Sequence, residues 1–411
     1  MSEYYDERET RLDEKRTTEL TADIISQLVH AKSNAPAYNH LYADITVEEF
    51  TSLDDLIKLP VTRKSALVEL LAESPPFGGY AAFKQGELKY VFSSPGPIYE
   101  PQTHRADYWR FARFLYATGI RAGDLLINSF SYHMTPAGAM FDSACHALGA
   151  AVFPGGVGQT EQQLDAIAAL KPVGYSGTPS FLKILLEKAE ELRKDISSIN
   201  KAMVSGEAFP PSTRKLLAEK GIHALQCYGT ADLGLIAYES CTDSGLIVDE
   251  DVYIEIVRPG TGERVPDGEV GEVVVTTLNP DYPLIRFATG DLSAMLAGES
   301  PCGRTNKRIA GWMGRADQTA KVKGMFIHPE QIQQIVHKHP EIARARLMVE
   351  WVDQKDAMTL RCESDQSDEH LIEQIGQSVR DFCKVGGNVE LVERGSLPND
   401  GIVIEDIRKY D

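Results

Sequence analysis

The sequence lacks several features that would assign it to a class at once. Its six cysteines are scattered along 411 residues without paired spacing, so they describe no disulfide framework. No apolar run approaches the roughly 18 residues that a helix needs to cross a bilayer. Basic residues are outnumbered, since 42 lysines and arginines face 60 aspartates and glutamates, for a formal charge of −18. We expect no nucleic-acid partner and no membrane partner, because an acidic surface repels phosphate backbones and anionic lipid.

Two catalytic signatures are missing as well. The sequence contains no Gly-x-Ser-x-Gly nucleophile elbow and no Gly-Lys-Ser phosphate loop, so a hydrolase or a kinase lacks support. The N-terminal stretch MSEYYDERETRLDEKR is charged where a signal peptide would be apolar. We therefore expect a cytoplasmic protein with reduced thiols.

What the sequence does contain is an alternation typical of layered α/β proteins. Between residues 85 and 290, short apolar runs such as DLLINSF, KAMVSG and HALQCYG alternate with longer helical stretches. Strands that alternate with helices predict a mostly parallel sheet covered on both faces. Residues 246–276 change to an apolar–polar alternation broken by Gly-Thr-Gly and Pro-Asp-Gly turns, which indicates antiparallel strands.

The two ends of the chain complete the predicted architecture. Residues 1–60 read as helices from the period of their apolar residues, and two helices and two strands follow residue 318. The predicted fold class is therefore α/β, with a large N-terminal domain of parallel-sheet layers plus an antiparallel β segment and a small, separate α+β C-terminal domain. We place these domains at residues 1–316 and 317–411.

Four short segments place glycine beside hydroxyl or carboxylate side chains near the ends of predicted strands. Ligands bind at the carboxyl ends of strands in open α/β sheets, and a glycine loop with a hydroxyl and a carboxylate can approach a nucleotide and hold Mg²⁺. Each segment taken alone is more often an ordinary turn, and for Asp291 alone a solvated turn aspartate is favoured over a ribose ligand. The segments are Ser205–Pro210, Tyr228–Gly234, Pro283–Asp291 and Gly314–Asp317.

Taken together, the order and spacing of these segments resemble the AMP-forming adenylating enzymes, and most closely their phenylacetate–CoA ligase branch. The resemblance covers almost the whole chain. It includes LPVTRKSAL, DGEVGEVVVTTL, PLIRFATGDL and SPCGRTNKRI followed by GRADQ. It implies ATP-dependent activation of a carboxylic acid, with a small mobile C-terminal domain that rotates about a hinge at Asp317 as a lid.

The resemblance also implies a role for each matching residue. Thr230 and Asp232 would be catalytic, Asp232 standing where the family has its Mg²⁺-ligand glutamate, and Asp291 would hold the ribose. The other nucleotide-binding residues would be Ser93, Ser94 and Gly96 at the phosphates, Ser205, Gly206, Glu207 and Ala208 along the adenine, Tyr228 and Gly229 beside the acyl group, and Arg315 near the ribose or phosphate. The acyl pocket would contain, by position, Tyr132, His133, Pro136, Phe141, Gly155 and Gly156. For His133 an ordinary polar role is an equal alternative.

The sequence departs from this family at the phosphate loop. Relatives have a run of Ser, Thr and Gly that ends in Thr-Gly-Lys-Pro, whereas this chain has SSPGPIYEP at Ser93–Pro101. The two added prolines remove backbone N–H donors, and Glu100 adds a negative charge where a polyphosphate would lie. We expect weaker or differently organised triphosphate binding.

A second departure concerns the C-terminal catalytic lysine, because Ile402 stands in its place. Losing a cation that stabilises a transition state typically costs about 10²–10³-fold in rate. Lys321, Lys323 and Lys409 are candidates to replace it, although solvated surface lysines are the ordinary alternative. We take Lys323 as the candidate catalytic residue.

A third departure removes the cysteine and histidine site of relatives in this branch. Only Cys241 and Cys302 remain there, and Ile247 lies where the histidine is expected. Two ligands are too few for a closed zinc site, so we expect no zinc and two ordinary buried thiols.

The leading functional hypothesis is an ATP-dependent carboxylate–CoA ligase that acts on a small aromatic or compact acid, with ATP/AMP, Mg²⁺ and CoA as cofactors. One alternative transfers the acyl group to a non-CoA acceptor from an adenylate or thioester. Another is a non-catalytic protein that binds a nucleotide or acyl-CoA. The sequence does not name the acid, and a homodimer is the default for a homo-oligomer.

Overall fold

The computed structural model describes residues 3–94, 98–259, 262–316, 318, 320–323, 325–352, 355–366, 368–398 and 402–408. The chain divides into two compact units, Met1–Met313 and Gly314–Asp411, and each is described by itself. The domain limits at residues 316 and 317 remain a prediction.

The first unit alternates strands and helices over most of its length, with short 3₁₀ turns between them. Its helices are α1 (Asp13–Asn34), α2 (Pro36–Leu41), α3 (Lys64–Glu73), α4 (Ala112–Ala117), α5 (Ala137–Ala147), α6 (Thr160–Leu170), α7 (Pro179–Leu192) and α8 (Pro211–Glu219). Its strands are β1 (Thr62–Arg63), β2 (Leu88–Ser94), β3 (Ile98–Thr103), β4 (Leu125–Asn128), β5 (Ala151–Pro154), β6 (Gly174–Gly177), β7 (Lys201–Val204), β8 (His223–Thr230), β9 (Gly234–Tyr238), β10 (Leu246–Val248), β11 (Val252–Val257), β12 (Gly271–Thr277), β13 (Phe287–Ser293), β14 (Met295–Leu296) and β15 (Arg308–Ile309).

A nine-stranded sheet dominates this unit, in the order β14-β15-β10-β9-β8-β7-β6-β4-β5. The strands from β5 to β8 are parallel, and those from β8 to β14 are antiparallel. The nine-stranded sheet therefore changes from parallel to antiparallel pairing at β8. The parallel layers and the antiparallel segment confirm the predicted α/β class.

A second sheet of four strands follows the order β1-β13-β12-β11. Its edge strand β1 is parallel to β13, with Thr62 opposite Phe287 and Arg63 opposite Ala288. Strands β2 and β3 form a separate hairpin, in which Ser93 lies opposite Tyr99 and Ser94 opposite Ile98. Helix α3 begins directly after β1, so the β1–β13 pairing fixes where Lys64 emerges.

The cores follow these layers. One cluster packs α1 and α2 against the four-stranded sheet, with Ile24 and Leu28 of α1 buried together with Phe287 of β13. Other clusters lie under the helices that flank the nine-stranded sheet. None of the helices in the described part of the chain combines the length and apolarity of a bilayer span.

The second unit is a small α+β unit. Its elements are β16 (Ala320–Val322), β17 (Met325–Ile327), α9 (Pro329–Lys338), β18 (Ile342–Val352), β19 (Lys355–Ser364), α10 (Glu369–Cys383), β20 (Asn388–Val392) and β21 (Ile404–Asp406). Strands β20, β19, β18 and β21 form one sheet in that order, and its apolar residues pack against α9 and α10.

Candidate nucleotide site

The carboxyl end of β8 carries Tyr228, Gly229 and Thr230 at the point where parallel pairing with β7 gives way to antiparallel pairing with β9. A bulge between Tyr228 and Gly229 shifts the register there. A Cβ on Gly229 would lie 2.6 Å from the carbonyl oxygen of Gly234, so only glycine fits. The Thr230 hydroxyl accepts a hydrogen bond from the backbone N–H of Leu233 at 3.1 Å, which fixes the turn that follows.

Tyr228 joins the two sheets of the first unit through Asp291. Its hydroxyl lies 2.8 Å from Asp291 Oδ2 and 3.1 Å from Thr289 Oγ1 on β13. The indole N–H of Trp312 donates to the other oxygen, Asp291 Oδ1, at 3.1 Å. Asp291 is buried while Trp312 is exposed, so this carboxylate lies just beneath the surface of the protein. A charged carboxylate oriented in this way is suited to accept sugar hydroxyls.

Replacing Tyr228 by phenylalanine should weaken AMP binding about tenfold, because a hydrogen bond to a charged group is worth about 1.5–3 kcal/mol and the Asp291 carboxylate loses the donor on its Oδ2. Calorimetric titration with AMP measures the change. Tyr132→Phe is the matched control: its hydroxyl accepts from Asn128 and lies 3.4 Å from Asp142. Equal losses in the two variants would contradict the assignment of Asp291 to the ribose.

Asp232 lies on the turn between β8 and β9 and is almost fully buried. Its Oδ2 forms an ion pair with the ammonium group of Lys64, the first residue of α3. Among the residues that the structure describes, its Oδ1 has no hydrogen-bond partner. The carboxylate therefore keeps one oxygen available inside the protein.

Glu100 on β3 is a second buried carboxyl group in this region. The Ser94 hydroxyl donates to its Oε1, and its Oε2 lacks a partner within the described ranges. Burial raises the pKa of Glu100 to about 7; the charge of Asp232 adds to the rise, while the hydrogen bond from Ser94 opposes it. Of the segment predicted as a phosphate loop, Ser93 and Ser94 end β2 and residues 98–101 lie in β3, while Gly96 lies outside the described residues.

The segment predicted to border the adenine follows β7. The Ser205 hydroxyl donates to the carbonyl of Cys227 at 3.0 Å, and Glu207 Oε1 accepts from the backbone N–H of Ser180 at 2.7 Å. Gly206 has a φ of 85°, which glycine adopts without strain. Gly206, Glu207 and Ala208 are exposed and so present their backbone at the strand ends.

The predicted acyl-pocket residues fall into two groups. Tyr132 and His133 lie on the loop after β4, where His133 is exposed, and Pro136 precedes α5. Phe141 is buried and stacks on Phe130 with ring centroids 4.8 Å apart, so it is a core aromatic of this face.

Gly155 and Gly156 are held by a residue that the sequence did not single out. Gln163 donates to the carbonyl of Gly156 at 2.8 Å, and its Oε1 accepts from the Ser129 hydroxyl at 2.7 Å. A Cβ on Gly155 would lie 2.8 Å from that same Oε1. The signal in the sequence was the polar pair Asn128–Ser129 directly after the apolar run DLLI, at the carboxyl end of β4.

Three predicted residues belong to the second unit. Lys323 is exposed, with its backbone N–H donating to Asp356 at 2.6 Å and its ammonium group 3.4 Å from the Gly386 carbonyl. Arg315 is exposed near the start of the unit, and Asp317 lies outside the described residues. The catalytic role of Lys323 and the hinge role of Asp317 remain predictions.

The two thiols of the altered metal region differ from expectation. Both Cys241 and Cys302 are partly exposed rather than buried, because they lie on the loops that follow β9 and β14. Burial alone would raise the pKa of Cys302, but hydrogen bonds with Ser240, Ser300 and Arg304 together outweigh it and lower that pKa. Within the described ranges, no three His, Cys, Asp or Glu side chains are grouped to hold a metal.

Comparison with known families gives two matches, which follow one another along the chain. Residues 131–279 match the AMP-binding enzyme family, and residues 324–403 match the AMP-binding enzyme C-terminal domain. The first contains β8 and its site turn, and the second falls within the second unit.

Known proteins match over nearly the whole chain. The phenylacetate-coenzyme A ligase of Thermus thermophilus is 30% identical, with 92% of this chain and 87% of that protein aligned. That of Aromatoleum evansii is 29% identical, with 89% and 87% aligned. A crystal structure of 2-hydroxyisobutyryl-CoA ligase in complex with 2-HIB-AMP and CoA is 25% identical, with 99% of this chain and 93% of that chain covered and a TM-score of 0.75.

Fold and site together define an AMP-binding enzyme, with glycine and carboxylate groups gathered at the strand ends of an α/β sheet. Within that class, the chain belongs to the phenylacetate–coenzyme A ligase family. The predicted family is confirmed.

Proposed function

We propose that this protein is an ATP-dependent ligase that joins a small carboxylic acid to CoA through an acyl-adenylate. The observation that carries the proposal is the convergence of Tyr228, Asp291 and Asp232 at the end of β8 in a chain of this family. In the first step a carboxylate oxygen attacks the α-phosphorus of ATP and pyrophosphate leaves. In the second, the CoA thiol attacks the adenylate carbonyl, AMP leaves and the thiol proton passes to solvent.

The residues of the chain serve this chemistry mainly by positioning and by charge. Asp291, oriented by Tyr228 and Trp312, holds the ribose, and Gly229 lets the nucleotide approach the backbone. The partnerless Oδ1 of Asp232 fits a hard cation. Mg²⁺, when bound there, would neutralise phosphate charge during the attack.

The proposal extends to features that the sequence predicted on family grounds. The acid is small and aromatic or similarly compact, Mg²⁺ rather than zinc is the metal, and the second unit moves as a lid about Asp317. We further propose that the protein binds no nucleic acid and is located in the cytoplasm. A homodimer is the default proposal for its oligomeric state.

The test is a turnover assay of the full chain with ATP, Mg²⁺, CoA and a panel that includes phenylacetate, other aryl acids and short acids. We expect AMP and acyl-CoA in equal amounts for at least one acid. Formation of neither product from any acid would contradict the proposal.

A second candidate, transfer of a preformed acyl group to another acceptor, is favoured by the exposed Ile402, which stands where the family resemblance implies an adenylating lysine. Ile402→Lys separates the two. A gain in adenylation of about 10²–10³-fold would identify a ligase limited by its missing cation. An unchanged rate together with acyl transfer from supplied acyl-CoA would support the second candidate.

A further inference from the structure

Two loops of the first unit carry most of the residues that were predicted to border the acyl group. The first acyl loop, residues 129–136, runs from β4 to α5, and the second acyl loop, residues 155–159, runs from β5 to α6. Strands β4 and β5 are parallel neighbours, so both loops begin at the same end of the nine-stranded sheet. Two buried amide side chains contact these loops: Asn128, the last residue of β4, and Gln163, in the first turn of α6.

Gln163 joins the second acyl loop to the first. Its Nε2 donates to the carbonyls of Gly156 at 2.8 Å and of Gly158 at 2.7 Å, so both hydrogens of the amide are used. Its Oε1 accepts from the hydroxyl of Ser129, the first residue of the first acyl loop, at 2.7 Å. The two glycines have φ values of 68° and 73°, a left-handed path that glycine follows without strain. The shape of this loop and the Gln163 amide are therefore matched.

Asn128 contacts both loops as well. Its Nδ2 donates to the Tyr132 hydroxyl and to the Gly138 carbonyl at the start of α5, each at 2.8 Å. Its Oδ1 accepts from the Ser176 hydroxyl on β6 at 3.0 Å. Its backbone carbonyl accepts from the N–H of Gly156 at 3.0 Å. One residue at the end of β4 thus contacts both acyl loops and the neighbouring strand.

These hydrogen bonds keep the two acyl loops at one spacing. Gln163 and Ser129 are 2% and 4% exposed, so water cannot easily replace the partners that they would lose if the loops moved apart. A closer approach is limited by contact, since a Cβ on Gly155 would lie 2.8 Å from Gln163 Oε1. The spacing is therefore restricted in both directions.

We propose that Gln163 is a specificity-determining positioning residue, which sets the distance between the two acyl loops and thereby the size of the acid that the enzyme accepts. The inference rests on the proposed function, which makes the substrate a carboxylic acid. It goes further because it assigns selectivity to a buried amide that acts through the loops rather than by contact with the acid. A compact acid fits the fixed spacing, whereas a longer acid requires the loops to part.

The experiment compares Gln163→Met with the parent chain in steady-state turnover with ATP, Mg²⁺ and CoA. Methionine has a similar size but cannot donate to the carbonyls of Gly156 and Gly158. For the best acid of the panel we expect the KM to rise about tenfold or more, while the KM for ATP stays within about twofold. The preference for that acid over its homologue with one more methylene group should fall about fivefold or more.

Gln162→Met is the matched control, because Gln162 precedes Gln163 on α6 and is exposed. It should leave both KM values and the acid preference unchanged. Hydrogen–deuterium exchange of the full chain, followed by mass spectrometry, adds a measurement that needs no substrate. Peptides that contain the two acyl loops should exchange about tenfold faster in Gln163→Met and at the parent rate in Gln162→Met.

An acid KM and an acid preference in Gln163→Met that equal those of the parent chain would overturn the proposal. A lower kcat with both KM values unchanged would overturn it too, because that pattern indicates only a loss of active protein. If Gln163→Met does not fold, Ser129→Ala decides, since it removes the link between the loops but keeps the donors of Gln163. We expect a rise in the acid KM of about threefold or more there, and an unchanged value contradicts the proposal.

Failure of this inference and failure of the proposed function give different results. Faster exchange of both acyl loops in Gln163→Met, in a chain that forms no AMP with any acid, would uphold the positioning of the loops and reject the ligase function. AMP formation by Gln163→Met with the exchange rates and acid preference of the parent chain would uphold the ligase function and reject this inference.

Discussion

Arg286→Met is expected to lower the free energy of unfolding of the first unit by about 3–5 kcal/mol, because it removes one partner of a buried ion pair. The guanidinium of Arg286, 2% exposed, donates to both oxygens of Glu255 at 2.9 and 3.2 Å. It also donates to the carbonyls of Leu59 at 2.7 Å and Gly262 at 2.8 Å. Methionine fills similar space but leaves Glu255 and both carbonyls without these donors.

Arg264→Met is the matched control, because Arg264 pairs with the same carboxylate at 2.9 Å from a more exposed position. We expect a loss of about 1 kcal/mol or less, as for other surface-accessible pairs. Urea unfolding of the full chain, followed by tryptophan fluorescence and circular dichroism, measures both. Equal losses of unfolding free energy in the two variants would show that the buried Arg286 stabilises this sheet no more than the exposed Arg264 does.

Asp232→Asn should reduce the rate of adenylate formation by about 10²–10³-fold, because an amide cannot supply the charge that a cation beside the phosphates requires. AMP affinity should stay within about threefold, since the proposed ribose ligand is Asp291 and not Asp232. Single-turnover formation of the acyl-adenylate and calorimetric titration with AMP measure the two quantities.

Asp232→Asn should still fold, so a lower rate of adenylate formation can be assigned to the lost carboxylate. Lys64, the partner of Asp232, is partly exposed and can be solvated once the carboxylate is gone, so no buried charge is stranded. Asp281→Asn provides the control, because the Asp281 carboxylate accepts a hydrogen bond from Thr103 at the end of β3, and this variant should adenylate at the parent rate. A parent-like rate in Asp232→Asn would show that this carboxylate does not serve the chemistry.

Much of the fold could be predicted from local patterns in the sequence. The runs DLLINSF and KAMVSG contain β4 and β7 with the residues that follow them, and HALQCYG covers all but the last residue of β8. The turn-broken segment 246–276 contains antiparallel β10 and β11 and nearly all of β12. These elements follow from short-range apolar periodicity. The parallel pairing of β1 with β13 could not be predicted, because nothing near Thr62 specifies a partner so far along the chain.

Residues of the candidate site could be predicted where a family motif lies at the end of a strand. They could be predicted less well where a buried polar group contacts a residue far along the chain. The motif placed Tyr228 and Asp291, but their shared hydrogen bond is a property of two sheets that meet. Gln163 and Arg286 were not singled out, because a polar residue in a sequence gives no sign that it will be buried. The exposure of Cys302 was likewise set by the loop that carries it.

The pairing of β1 with β13 has a consequence for synthesis on the ribosome. Lys64 and Asp232 are 168 positions apart, and the strand that positions Lys64 has its partner at Phe287 and Ala288. At about 5–20 residues per second, roughly 10–45 seconds pass between the emergence of the two strands. The α/β layers can form during that interval, but the ion pair at the nucleotide site cannot. A nascent chain halted before β13 would therefore hold folded layers without an assembled site.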